Sequence, residues 1–252
     1  MTATPQGRTG RSALASALCA LAVTGTVLTG CSAEDPDAGT NGVGKLSAQK
    51  IQSRTRKAAE SADTVRLSGN VVTNGRTYEL DMRLKGDGGT GSVTSKGESF
   101  RLLRVGEHLF LKADAAFWNH QDGKDDDSGS DTAAADKLDG MYVKVPTGDP
   151  AYKRFSGFTD KDVLLDGLLT LHGDLATDGH HEQQGTRTIR ITADEGEGGS
   201  LDVCLEGEPY PLLLVRAGGA GTLRLTDWGK DFALKEPSEK ETVDYGQQLP
   251  AS

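Results

Sequence analysis

Few residues of this chain combine a reactive type with a usable spacing. Cys31 closes the run Leu28-Thr29-Gly30-Cys31, and the small residues at 29 and 30 leave the backbone before the thiol open to a peptidase. Arg8 and Arg11 stand ahead of a short, nearly uncharged run at residues 13–28, the basic and apolar halves of an export signal. That run falls short of the roughly 20 residues of a membrane-spanning helix. His180 and His181 precede Glu182, but neighbours in sequence point to different sides and do not share a metal as histidines at i and i+4 do. With His172 they are expected to be solvated loop residues, and no metal site is expected. Asp122, Asp125, Asp126, Asp127 and Asp131 have the density of a calcium loop without its bidentate glutamate at the twelfth position. No serine sits in a Gly-x-Ser-x-Gly elbow, and the glycine clusters lack the spacing of a phosphate-binding loop. Cys204 alternates with Leu201, Val203 and Leu205 and faces opposite them, the expected place of a buried structural thiol. The residues therefore point away from an enzyme and away from any cofactor.

Composition narrows the class further. Removing the first 30 of 252 residues leaves 222, and because two arginines and no acid leave with them, the formal charge of −9 becomes −11. Such a protein repels nucleic acid and anionic membrane surfaces at long range, so no nucleic-acid partner is expected. Cys19 lies in the removed run, which leaves Cys204 beside Cys31 and allows neither an internal disulfide nor a cysteine-based metal site. Aromatic residues make up only 5% of the chain, so Leu and Val must form most of the interior.

The elements that must position these residues are mostly strands. Residues 32–44 carry no periodicity and are expected to be a flexible tether. Ser47 is a plausible N-cap, and Ile51, Ala58, Ala59 and Ala62 mark one face of a helix after it. Val65, Leu67 and Val71 alternate, as do Tyr78, Leu80, Met82 and Leu84, and Asn74-Gly75 between them suits a type I′ hairpin turn. Three more strands follow at 90–95, 100–105 and 108–112, and another at 141–145 after an acidic loop at 119–137. A helical turn is expected at 151–158. Thr159 and Asp162 then form a capping box ahead of a leucine-rich helix at 163–171 that should be buried on most sides. Strands at 186–193, 200–206, 211–216 and 221–227 close the pattern, followed by a charged tail at 235–252. The expected class is α+β: a curved antiparallel β-sheet with helices packed on its concave face.

The segment ending in Cys31 resembles the lipobox of bacterial lipoproteins. That resemblance implies a signal peptide at 1–30 and a Cys31 thiol that receives a diacylglyceryl group. It also implies attachment to the extracytoplasmic face of the cell membrane through two acyl chains, with residues 31–45 as lipidated cysteine and tether. The order of elements over residues 46–234 resembles the LppX/LprG-type lipoproteins of actinobacteria, relatives of LolA and LolB. It follows the helix before the first hairpin, the strand Tyr142-Val143-Lys144-Val145, and the leucine-rich helix after it. Members of that family form a half-barrel closed by helices, and several carry lipids or lipoglycans. The resemblance therefore implies a single LolA-like domain, with a lipid or glycolipid as the expected ligand. The acidic loop at 119–137 departs from the family pattern.

For such a ligand the relevant residues are apolar. Leu80, Met82, Leu84, Leu102, Leu109, Leu111, Val143, Ile189 and Ile191 are placed to line the inner face of the sheet, and Leu164, Leu165, Leu168 and Leu169 to form its lid. Aliphatic stripes look the same when they pack against one another as a dry core, so both outcomes stay open here. An alternative function is a non-catalytic envelope scaffold or sensor whose protein partner the residues do not identify.

Overall fold

The structure is a computed structural model that describes residues 35–73, 75–86, 88–121 and 135–244. Cys31 and the signal segment, Asn74 of the first hairpin, residues 122–134 of the acidic loop and everything after Asp244 lie outside these residues.

Alternation builds a first meander: β1 (Thr64–Thr73), β2 (Arg76–Lys85), β3 (Gly88–Ser95), β4 (Glu98–Val105), β5 (His108–Ala113) and β6 (Tyr142–Val145) pair in chain order. Thr73 faces Arg76 and Gly75 has φ +70°, so the first hairpin turns where the Asn74-Gly75 pair predicts it. A second meander runs through β7 (Leu175–Gln183), β8 (Thr186–Ala193), β9 (Gly199–Cys204), β10 (Pro211–Arg216) and β11 (Gly221–Thr226). The two join where β11 lies antiparallel to β1, with Leu67 opposite Leu225 and Gly69 opposite Leu223. The result is one curved sheet of 12 strands.

Two strands depart from expectation. The expected tail contributes β12 (Thr242–Asp244), which pairs with β6 in parallel, so the sheet is mixed at that edge rather than wholly antiparallel. β7 carries His180 and His181 on an edge strand, where a loop was expected. Its residues are mostly exposed, so no apolar alternation marks it, and its register shifts between Thr177 and His180.

Register explains the core. Val143 faces Leu111, Leu111 faces Leu102, Leu102 faces Gly91, Gly91 faces Met82, Met82 faces Leu67, and Leu67 faces Leu225. Leu223, Leu214, Leu201 and Ile191 continue the same face across the second meander. A fully buried side chain of this size contributes roughly 1.5–3 kcal/mol, so one face of the sheet must be covered.

Helices cover it in two groups. α1 (Ala48–Ser61) turns Ile51, Thr55 and Ala59 inward and lies against β7, β8 and α4 (Lys161–Leu169). Arg56 Nη2 meets Asp166 Oδ1 at 2.5 Å, and Lys161 Nζ donates to the Glu60 carbonyl at 3.2 Å, fastening the pair. α2 (Ala115–Gln121) lies on β4, and α3 (Pro150–Ser156) sets Phe155 on Phe100 with ring centroids 5.2 Å apart. α4 differs from expectation in its first turn. Asp160, not Thr159, is the N-cap, its carboxylate accepting from Val163 N at 3.1 Å. Leu165, Leu168 and Leu169 are buried, but Val163 is 64% exposed. Consecutive apolar residues on a helix of 100° per residue cannot all face one sheet.

The expected tether is also corrected from Asp35 onward. Asn41 Nδ2 donates to the carbonyls of Cys204 and Gly207, each at 3.0 Å, and Arg187 Nη1 donates to the Ala38 carbonyl at 3.1 Å. Val43 is buried in the core, and His180 Nε2 lies 3.2 Å from Asp37 Oδ1. A polar composition can be rigid when its side chains find specific backbone partners.

Beyond β11 a strap runs across the first meander to the β6 edge of the sheet. Trp228 stacks on Tyr210 with centroids 4.8 Å apart, Lys85 Nζ meets Asp231 Oδ1 at 3.0 Å, and His108 Nδ1 meets Glu236 Oε1 at 2.6 Å. Lys230 holds the Asp227 carboxyl below its ordinary value of 3.8, Lys85 does the same for Asp231, and Ser238 lowers Glu241 from 4.5. Carboxyls held low stabilise the folded strap above their ordinary values and lose that contribution as pH falls through the folded ones. NMR contacts between β12 and β6 are therefore expected to weaken below about pH 4, while those between β4 and β5 persist. Equal persistence of both at about pH 3 would show that the strap does not depend on these carboxylates.

Candidate functional site

The predicted lining residues come together. Leu80, Met82 and Leu84 on β2, Leu102 on β4, Leu109 and Leu111 on β5, Val143 on β6, and Ile189 and Ile191 on β8 are all buried in one apolar cluster. Leu165, Leu168 and Leu169 join it from α4, while Leu164 packs against it half-exposed. The division of labour differs from expectation: α4 and α1 sit over the second meander, with α4 against β10, and α2 lies over the first meander on β4. α3 joins α2 there through Phe155, so the cover over β2–β5 is aromatic and not the leucine-rich helix.

This second cover frames an opening that sequence reasoning missed. A cavity of about 140 Å³ is lined by Tyr78, Phe100, Phe117, Phe155 and Phe158, with Arg76, Ser95, Lys96, Glu98 and Arg154 beside them. Phe100 is the hub, 5.3 Å from Phe117 and 5.2 Å from Phe155 between ring centroids, and Tyr78 lies 6.0 Å from Phe158. Such tilted and edge-on pairs are the favoured aromatic arrangement. Phe100 faces Val93 and Val93 faces Leu80, so the cavity wall runs directly into the apolar row. The elements explain the placement. Asp149 caps α3 by accepting from Ala151 N at 2.7 Å, and Pro150 starts its first turn, which fixes Phe155 over the sheet. The one signal in the sequence was scarcity: four of the six phenylalanines line this cavity, yet they are scattered from 100 to 158.

The reactive residues do not assemble. Among the described residues no three of His, Cys, Asp or Glu cluster to hold a metal ion. His181 Nε2 turns back to the Asp178 carbonyl at 2.8 Å, and His180 engages Asp37. Burial pushes the Cys204 thiol up, and its Sγ donates to the Glu206 carbonyl at 3.0 Å, the state of an inert thiol. Asp202, fully buried, is held by Arg190 at 2.5 and 2.9 Å and by Gln183, a structural cluster that ties β7, β8 and β9 together. A hollow of about 290 Å³ under the strap is lined by Arg66, Arg83, Asp227, Lys230 and Asp231. Arg66 is already committed to Asp81 at 2.7 Å, and Lys230 to Asp227 at 2.8 Å.

No protein-family model and no curated protein matches the chain. Solved structures do. LprF from Mycobacterium bovis is 14% identical with a TM-score of 0.49, over 76% of this chain and 97% of that one. The lipoprotein LppX from Mycobacterium tuberculosis is 13% identical with a TM-score of 0.43, over 75% and 100%. An uncharacterised conserved protein from Thermus thermophilus is 10% identical with a TM-score of 0.37, over 78% and 98%. The structural neighbours LprF and LppX are mycobacterial lipoproteins of the LppX/LprG family, the group that the sequence resembles.

Proposed function

We propose that this chain is a non-catalytic lipoprotein, anchored through Cys31 on the extracytoplasmic face of the membrane, that holds an acyl-chain lipid between its curved sheet and its helices. The observation that carries the proposal is the aromatic cavity, which opens to solvent at one end and abuts the buried apolar row at the other. About 140 Å³ is below the roughly 300–1,000 Å³ of a typical small-molecule site, so the cavity admits part of a lipid in the present conformation. A whole lipid enters when α2 and α3 lift from β4. That movement would exchange the ring contacts around Phe100, and the Tyr152 hydroxyl's bond to the Glu107 carbonyl at 2.8 Å, for contacts with an acyl chain.

Phe158 tests this at the mouth, where it is half-exposed and carries little of the core. In a Phe158→Asp variant, uptake of a fluorescent acyl probe from neutral vesicles is expected to fall about tenfold or more, because the charge would have to be desolvated beside the ligand. The melting temperature is expected to stay within a few degrees of wild type, since half-exposed positions contribute little. Wild-type uptake in that variant would place the ligand elsewhere.

A further inference from the structure

We propose that the rim of the aromatic cavity selects an anionic headgroup, so that the ligand is a phosphate-bearing acyl lipid and not a neutral one. This rests on the acyl-ligand function proposed above and names the ligand class. The chain carries 37 acidic against 28 basic residues, yet among the described residues the cavity is lined by Arg76, Lys96 and Arg154 with a single acid, Glu98. The three cations come from three elements: Arg76 from the start of β2, Lys96 from the turn between β3 and β4, and Arg154 from α3. Among the described residues, no hydrogen bond or ion pair occupies any of these three side chains. By contrast, Arg56, Arg66, Lys85, Arg104, Lys161 and Arg190 each hold a carboxylate. The Arg154 guanidinium lies over the Phe155 ring, 4.7 Å from its centroid, which steadies its plane and leaves its N–H edge available to a phosphate.

Cations alone would suit any anion. Here they border the place where four of six phenylalanines gather, and the wall behind them continues into Val93 and Leu80. That combination matches a molecule with one anionic end and an apolar body. A free phosphate would gain nothing from the rings, and a diacylglycerol nothing from the arginines. Charge-assisted, forked contacts from arginine are the strong kind of hydrogen bond, so the headgroup should change affinity by about tenfold or more.

Trp118 supplies the readout. Its ring meets Phe117 edge-on with centroids 5.2 Å apart, and Phe117 lines the cavity. The full chain carrying Cys31→Ser and Trp228→Phe, stripped of lipid, is titrated with phosphatidic acid bearing bromine-labelled acyl chains, and with diacylglycerol bearing the same chains. Phosphatidic acid is expected to quench Trp118 at about a tenfold lower concentration or less. The triple variant Arg76→Gln, Lys96→Asn and Arg154→Gln is expected to erase that difference and to keep quenching by diacylglycerol. Lys96 sits at φ +54°, where asparagine is better tolerated, so the turn should survive the change. Equal quenching of the parent protein by both lipids would overturn the headgroup inference and leave the acyl-ligand function standing. Quenching by neither would overturn both. Binding of inorganic phosphate to the parent protein as tightly as phosphatidic acid, read by isothermal titration calorimetry, would assign the rim to a free anion and overturn the lipid assignment.

Discussion

Replacing Cys31 by serine should transfer the protein from the membrane to the soluble fraction while leaving its circular dichroism spectrum unchanged. The size of the effect follows from what the rest of the chain lacks. Among the described residues no helix is long and apolar enough to cross a membrane. After loss of the signal segment the formal charge is expected to be −11, which repels an anionic lipid surface instead of adhering to it. Two acyl chains are the anchoring unit that resists dissociation, at about 0.8 kcal/mol per buried methylene, and a serine hydroxyl in that position does not receive them. The fold is already in place at Asp35, clasped to β8 and β9 through Ala38, Asn41 and Val43, so residues 35–44 do not belong to the expected tether. Continued tight membrane association of the serine variant would show that the anchor lies elsewhere.

Gly69→Ala should be among the most damaging single methyl groups in the sheet. Gly69 has φ +138°, a conformation that side chains rarely adopt, and a Cβ there would overlap the Thr222 carbonyl oxygen on β11. The position lies on the seam between β1 and β11, where the two meanders become one sheet. Strain at such a φ costs about 1–3 kcal/mol, and forcing two backbones apart adds to it, so a loss of about 3 kcal/mol is expected. For a domain of this length that is a fall of roughly 6–12 °C in melting temperature. Ser68→Ala, on the neighbouring residue opposite Arg224, should shift stability by less than about 0.5 kcal/mol. Comparable melting of the two variants would mean that the seam yields without cost.

The contrast between these two positions shows what a sequence makes legible. The lipidation motif is a string of adjacent residues, and so is the alternation of Tyr78, Leu80, Met82 and Leu84. Both can be read locally, as can the apolar set that became the core. The seam at Gly69 joins residues about 150 apart, and nothing in either strand names its partner. β7 was invisible because an edge strand exposed along most of its length has no apolar face to betray it. β12 has three residues and a parallel partner, too short for any period. The clasp of residues 35–45 depends on particular partners, Asn41 for the Cys204 and Gly207 carbonyls and Arg187 for the Ala38 carbonyl, a matter of geometry that composition does not record. The aromatic cavity is the same lesson at the site: Tyr78, Phe100, Phe117, Phe155 and Phe158 share no spacing, and only the fold of β2, β4, α2 and α3 brings them to one opening.

The central claim is that the interior beneath the helices gives way to an acyl chain. Native mass spectrometry of the delipidated Cys31→Ser chain, mixed with a phospholipid of defined chain length, addresses it without a label or a reporter. The expected spectrum shows the protein plus one lipid mass, retained at collision energies that strip detergent. It also shows loss of that adduct when Phe158→Asp is introduced. A spectrum of bare protein at every lipid concentration would contradict the account and leave the apolar face as a dry core.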